Sequence, residues 1–226
     1  MNEWDVAKAA LKHVVIKSNK NNLPVTVSIY TDQLQCIGTG TDAAVFRHKD
    51  APKYAYKIFA DDKLEKLAME QKVYLKLKNL GSYFPQFFDA KSNYIVLSYE
   101  KGSTLFDCLI EGTHIPPNVL HAVDDARALV YEIGLNPRDI HLKNILMYEE
   151  KIKIVDVSEY MKLGDDRRWE YLKKAYYDYY HLIDGKKIPL WMLETVRKWY
   201  SQANSKTFNY DEFVNNTMKL FKIGNW

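Results

Sequence analysis

The chain is 226 residues long, 47% hydrophobic and 27% charged, which suits one globular domain or two small lobes sharing a cleft. Its 17 Tyr, 9 Phe and 5 Trp argue against disorder, and a net charge of +3 without a dense Lys/Arg stripe gives no case for nucleic acid. No run approaches the ~20 apolar residues of a membrane span, the acidic start Met1-Asn2-Glu3-Trp4-Asp5 is not a signal peptide, and the lone Cys36 and Cys108 read as buried free thiols in a reducing cytoplasm.

Trp4, Val6, Ala9, Leu11, Val14 and Val15 predict an amphipathic helix over 3–16. A polar break over 17–24 follows. Alternation then predicts strands at Val25-Val27-Ile29, Leu34–Cys36, Val45–Arg47 and Tyr54–Phe59. Asp61 or Asp62 can cap a helix that runs to Lys78, with an apolar face of Leu64, Leu67, Ala68, Val73, Leu75 and Leu77. Phe84–Asp89 and Tyr94–Ser98 read as two more strands. Beyond Gly102 the character turns helical. Ser103 or Thr104 starts a short helix, and a long one covers 117–133, with Pro117 in its first turn and Gly134 as its stop. Three more helices fall between Trp169 and Phe221, broken at Gly185–Pro189 and Asn204–Asn209. The expected class is α+β, with a lobe boundary near Lys101-Gly102 that divides 1–101 from 102–226.

Several polar residues stand out along this framework. Gly38-Thr39-Gly40-Thr41-Asp42-Ala43-Ala44-Val45 lies between two strands, and its glycines allow backbone amides to approach a phosphate. Alone, the run also suits an ordinary hairpin turn. Lys57 is the one cation in Tyr54-Ala55-Tyr56-Lys57-Ile58-Phe59, on the face shared with Ala55 and Phe59. It is either an edge-strand Lys reaching solvent or a buried one in need of an anion. Glu70, on the following helix, is the candidate anion. Arg138-Asp139-Ile140-His141-Leu142-Lys143-Asn144 precedes a predicted hairpin, Ile145–Met147 and Ile152–Val155, which ends at Asp156. Each of Asp139, Asn144 and Asp156 could be a turn former. Their joint order, behind a Gly loop, a strand Lys and a helix Glu, instead points to phosphoryl transfer from ATP. That chemistry needs one carboxylate to orient a hydroxyl, and an amide and a second carboxylate to grip Mg²⁺.

From Leu34 to Asp156 this order resembles the protein-kinase-like superfamily, including short bacterial serine/threonine-kinase-like proteins. The resemblance implies a bilobal fold, with an antiparallel sheet and one helix in an N-lobe and a reduced, mostly helical C-lobe. It implies ATP and Mg²⁺ as cofactors, and a protein or small-molecule hydroxyl as acceptor. Gly38, Thr39, Gly40 and Val45 would belong to the loop over ATP, Lys57 would anchor phosphates with Glu70 as partner, and Ser98, Tyr99 and Glu100 would lie in the adenine-gripping hinge. Asp139 would be the catalytic carboxylate, and Asn144 and Asp156 the magnesium ligands. The chain departs from the family pattern in five places, one of them His141, where most protein kinases have Lys. Ala43 replaces a third glycine, Pro137 replaces the histidine before Arg138-Asp139, Asp156-Val157-Ser158 replaces Asp-Phe-Gly, and no Ala-Pro-Glu follows. Asp139-x-His141-x-x-Asn144 resembles small-molecule phosphotransferases such as those acting on aminoglycosides. Three functions therefore compete: a serine/threonine protein kinase, a small-molecule kinase and a nucleotide-binding pseudokinase.

Overall fold

The computed structural model describes residues 2–21, 23–164, 166–202 and 208–223. Glu3–Ala7 form a 3-10 turn that runs into α1 (Lys8–Leu11). The helix expected to reach residue 16 ends there. Val14-Val15-Ile16 are β-branched, stiff in a helix and well suited to a pleat. They build β1 (Val14–Lys17), antiparallel to β2 (Thr26–Ile29).

Next come β3 (Leu34–Thr39), β4 (Ala43–His48), β5 (Ala51–Phe59), α2 (Leu64–Leu77), β6 (Phe87–Ala90) and β7 (Tyr94–Ser98). The five strands form an antiparallel sheet in the order β3-β4-β5-β7-β6. Lys57 is thus on the central strand, and the edge-strand reading falls. Both sheet faces contribute buried residues to a core. Ala44, Phe46, Tyr56, Ile58 and Val96 pack under Ala7, Ala10, Leu11, Val14 and Ile16 from the N-terminal segment. Tyr54 and Tyr56 tie that segment down through Oη bonds to Glu3 Oε2 (2.9 Å) and the Trp4 carbonyl (3.0 Å). The opposite face brings Ala43, Phe59, Ile95 and Leu97 into one core with α2.

The stripe that α2 buries is Leu67, Glu70, Val73, Tyr74 and Leu77. Of the apolar face expected from spacing, Leu64, Ala68 and Leu75 are exposed instead. Nor does Asp61 or Asp62 cap this helix. Both lie in a 3-10 turn before it, and no side chain caps α2 itself. Of the two cysteines, Cys108 is buried but Cys36 only half-buried.

After Gly102 come β8 (Ser103–Thr104), α3 (Leu105–Glu111), α4 (Pro117–Glu132), β9 (Ile145–Tyr148), β10 (Lys151–Ile154), α5 (Arg168–Tyr179), α6 (Leu190–Gln202) and α7 (Tyr210–Ile223). Thr104 caps α3 by accepting the Asp107 N–H at 3.0 Å. Pro117 opens α4, and Gly134, at φ +73°, follows its end. Strands β8, β9 and β10 pair antiparallel in a small sheet. Of the expected break at Asn204–Asn209, residues 204–207 lie outside the described residues. The architecture is the α+β one expected: an antiparallel sheet with one helix, then a mostly helical part. One core joins them, with Val73, Tyr74 and Ile95 in the same cluster as Val119, Val123, Val130, Ile140 and Ile154. Among the described residues no helix is long and apolar enough to cross a membrane.

Candidate active site

The alternation of β5 turns Lys57 inward, and helical spacing puts Glu70 on the buried stripe of α2. Lys57 Nζ lies 2.8 and 2.7 Å from the two Glu70 carboxylate oxygens and 3.5 Å from Asp156 Oδ2. Glu70 is fully buried, at 0% exposure. Burial works against the Lys57 ammonium, but Asp156 and Glu70 override it and hold its pKa above the ordinary lysine value. For Glu70, burial outweighs the neighbouring ammonium and pushes the carboxyl up to about 7. Burial opposes ionisation at Asp156 too. There Lys57 and the Ser158 N–H, which donates to Oδ1 at 3.1 Å, win and keep it below the usual carboxylate range. Tyr74 on α2 donates to the Val155 carbonyl at 3.3 Å, so one helix positions both the partner of Lys57 and the strand end bearing Asp156.

The loop bearing Asp139 is fastened to the segment after Asp156. The Asn136 N–H donates to the Tyr160 carbonyl at 2.9 Å. Its side-chain amide donates to Lys162 O (2.8 Å) and Gly164 O (2.7 Å), and Arg138 donates to Leu163 O. These bonds hold the loop in which Pro137 replaces the expected histidine. The side-chain Nδ2 of Asn144 donates to the Asp139 carbonyl at 3.1 Å, which leaves Oδ1 as its acceptor atom. Burial pushes the Asp139 carboxyl up to about 6 against the pull of Arg168. Burial also lowers His141 to about 4, with Arg168 adding to the effect, so its imidazole is neutral at pH 7.

Gly38, Thr39 and Gly40 form the end of β3 and its turn into β4. The Gly40 N–H donates to Ala43 O at 2.8 Å, and the Gly40 carbonyl accepts the Val25 N–H at 2.8 Å. A Cβ at Gly38 would meet nothing within 4 Å, so open space lies beside that backbone. Val45 sits opposite Lys57 in the β4–β5 ladder. At the end of β7, the N–H groups of Ser98 and Tyr99 already donate to Gln86 O and Lys53 O, both at 2.8 Å. The Glu100 carboxylate accepts from Ser98 Oγ and lies 3.4 Å from Lys153.

All these residues line one cavity of about 1220 Å³: Gly38, Thr39, Gly40, Val45, Lys57, Glu70, Ser98, Tyr99, Glu100, Asp139, Asn144 and Asp156. Far apart in the chain, they meet at one place. Sequence reasoning missed several others in the same lining. Ala55 and Leu146 join Val45 and Leu97 there, supplying apolar side chains. Asp42, read as a turn former, takes Lys66 of α2 at 2.5 Å and so ties the glycine turn to the helix bearing Glu70. Asp166 and Arg168 hold Asp139 directly: Asp166 Oδ2 accepts the Asp139 N–H at 2.8 Å, and Arg168 pairs with its carboxylate. A lone Asp-x-Arg gives no sequence signal for such a role, because its partner lies in another loop.

No protein-family model matches the chain. The chain is similar to a protein of Bacillus subtilis (strain 168) named "Putative serine/threonine-protein kinase YrzF". The two are 31% identical over 196 residues, 85% of this chain and 90% of the relative.

Proposed function

The chain belongs to the protein-kinase-like superfamily, and from that premise we propose that it is an ATP- and Mg²⁺-dependent phosphotransferase, a small serine/threonine kinase acting on a hydroxyl acceptor. The observation that carries this reading is the convergence of Lys57, Glu70, Asp139, Asn144 and Asp156 on one cavity. Its donor set suits Mg²⁺, which takes one or two carboxylates and completes its shell with water and phosphate oxygens. Asp156 is held ionised with its side chain 38% exposed, and no group among the described residues bonds Asn144 Oδ1. Among the described residues no cage of three or more His, Cys, Asp or Glu competes with it.

On this reading residues 1–101 form a nucleotide-binding lobe and 102–226 a catalytic one. Val45, Ala55, Leu97 and Leu146 would sandwich the adenine. Because the N–H groups of Ser98 and Tyr99 are engaged, N–H donation to the adenine would fall to Glu100 and Lys101. Lys57, fixed by Glu70, would hold phosphate oxygens, and the Gly38–Gly40 backbone would lie close over them. Asp156 and Asn144 would hold the metal. ATP with Mg²⁺ supplies the γ-phosphoryl group and the charge neutralisation that its transfer needs. Asp139 accepts a hydrogen bond from the acceptor hydroxyl and aligns it for in-line attack. Positioning and fixed charges account for most of the gain.

Incubation with labelled ATP and Mg²⁺ tests the reading. Label on protein acceptors supports it. Asp139→Asn should abolish that label while the Kd for Mg²⁺-ATP stays near wild type, and activity surviving in Asp139→Asn would sink the assignment. A small-molecule acceptor is the second reading. It is favoured by the Asp139-x-His141-x-x-Asn144 order and by the cavity's extension to Tyr171, Tyr200 and Phe213. Label on a metabolite in place of protein would establish it.

A further inference from the structure

Asp139 has a left-handed backbone, φ +57°, tolerated by Asp but not self-supporting. Two bonds from a segment far along the chain fix it. The Asp139 N–H donates to Asp166 Oδ2 at 2.8 Å, and Arg168 Nη1 donates to Asp139 Oδ1. Asp166 is braced in turn. Its Oδ1 accepts the Arg168 N–H at 3.1 Å, and its carbonyl accepts from Tyr200 Oη at 3.4 Å. Arg168 opens α5, where a cation lies against the helix dipole, and the carboxylates of Asp139 and Asp166 offset that. The two carboxylate oxygens of Asp139 are not equivalent. Oδ1 faces Arg168 and, at 3.9 Å, His141 Nε2, whereas no group among the described residues bonds Oδ2. Arg168 and Asp166 line the cavity that holds Asn144 and Asp156.

We propose that Arg168 is a positioning residue of the phosphotransfer site: it holds Asp139 by Oδ1 so that Oδ2 faces the acceptor hydroxyl, while Asp166 fixes the backbone beneath. The inference rests on the phosphotransferase reading and adds to it a clamp from the start of α5. A guanidinium suits this task, because one planar group spans both carboxylates: Nη1 holds Asp139 Oδ1 while Nε lies 4.0 Å from Asp166 Oδ2. Were Arg168 only a plug over Asp139, its removal would raise turnover. As a clamp, its removal must lower it.

Arg168→Ala is expected to lower kcat roughly 10- to 100-fold, with KM for ATP and the calorimetric Kd for Mg²⁺-ATP unchanged within about two-fold. Arg168→Lys keeps the charge without the planar group and recovers part of the loss. Hydrogen exchange over residues 136–144, measured without nucleotide, rises in Arg168→Ala and stays nearer wild type in Arg168→Lys. An unchanged or increased kcat overturns the proposal, as does nucleotide affinity falling in step with kcat, or exchange that stays at the wild-type level. A wild-type chain that transfers no phosphate to any acceptor sinks the phosphotransferase reading instead, and the exchange measurement still decides whether the clamp exists.

Discussion

Lys57→Met isolates the charge buried beneath the cleft. The Lys57 side chain is 11% exposed and has two carboxylates, Glu70 at 2.7 Å with 0% exposure and Asp156 at 3.5 Å with 38%. Without the ammonium, Asp156 can turn to water. Glu70 cannot, because Leu67, Val73 and Tyr74 are buried around it on α2. Removing one partner of a buried pair costs about 3–5 kcal/mol, which lowers the Tm of a chain of this size by roughly 6–20 °C. The loss depends on pH. Burial already holds Glu70 up at about 7, against an ordinary 4.5, with Lys57 pulling the other way; without Lys57 it rises further. A folded pKa above the unfolded one means stability that is present below the unfolded value and lost as pH rises through the folded one. Calorimetry should therefore find wild type and Lys57→Met close together at about pH 5 and far apart at about pH 9. The double variant Lys57→Met/Glu70→Gln, which removes the stranded charge, should regain most of the difference at the higher pH. A Tm gap independent of pH, or a double variant no better than the single one, would refute the reasoning.

Asp156→Ala should remove the metal dependence of nucleotide binding: calorimetric titrations with Mg²⁺ and with a chelator should then give the same Kd. Gly102→Ala should cost about 1–3 kcal/mol from its backbone alone, and more because its Cβ would collide with the Met147 carbonyl of β9 at φ +122°. Its urea midpoint against wild type measures this. Thr104→Ala should cost about 1 kcal/mol through the lost cap of α3, and Thr104→Ser should restore it in the same titration.

How much was legible depended on distance along the chain. The hairpin that spaces Asn144 from Asp156 is local, and its two apolar runs around Glu149-Glu150 declare it. Pro117 and Gly134 mark a helix by their own backbone preferences. The strand Lys and helix Glu were readable as a pair because both needed a counter-charge and lie 13 residues apart. Periodicity misled where it was sampled thinly. Val14 and Val15 extended a helical spacing, yet with Ile16 they make a β-branched run that pairs with Thr26–Ile29. On α2 the tally of apolar residues included Leu64 and Leu75, which are 39% and 52% exposed, and left out Tyr74, whose ring fills the core. The Asp166–Arg168 clamp was invisible because its reason lies 27 and 29 residues away, in another loop. Ser98, Tyr99 and Glu100 were read as a backbone grip; that residues 53 and 86 take the N–H groups of Ser98 and Tyr99 is visible only in the folded sheet.

The N-terminal segment has a consequence for descent. Ala7 and Ala44 are both 0% exposed within one packed cluster beside Tyr56 and Phe46, so neither can grow unless a neighbour shrinks. A relative without the first eleven residues could not keep these aromatics as they are, since they would face water. It would need polar groups on alternate positions of β4 and β5. The covering thus constrains the back of the very strand whose front presents Lys57, so a substitution in either stretch is felt by the other.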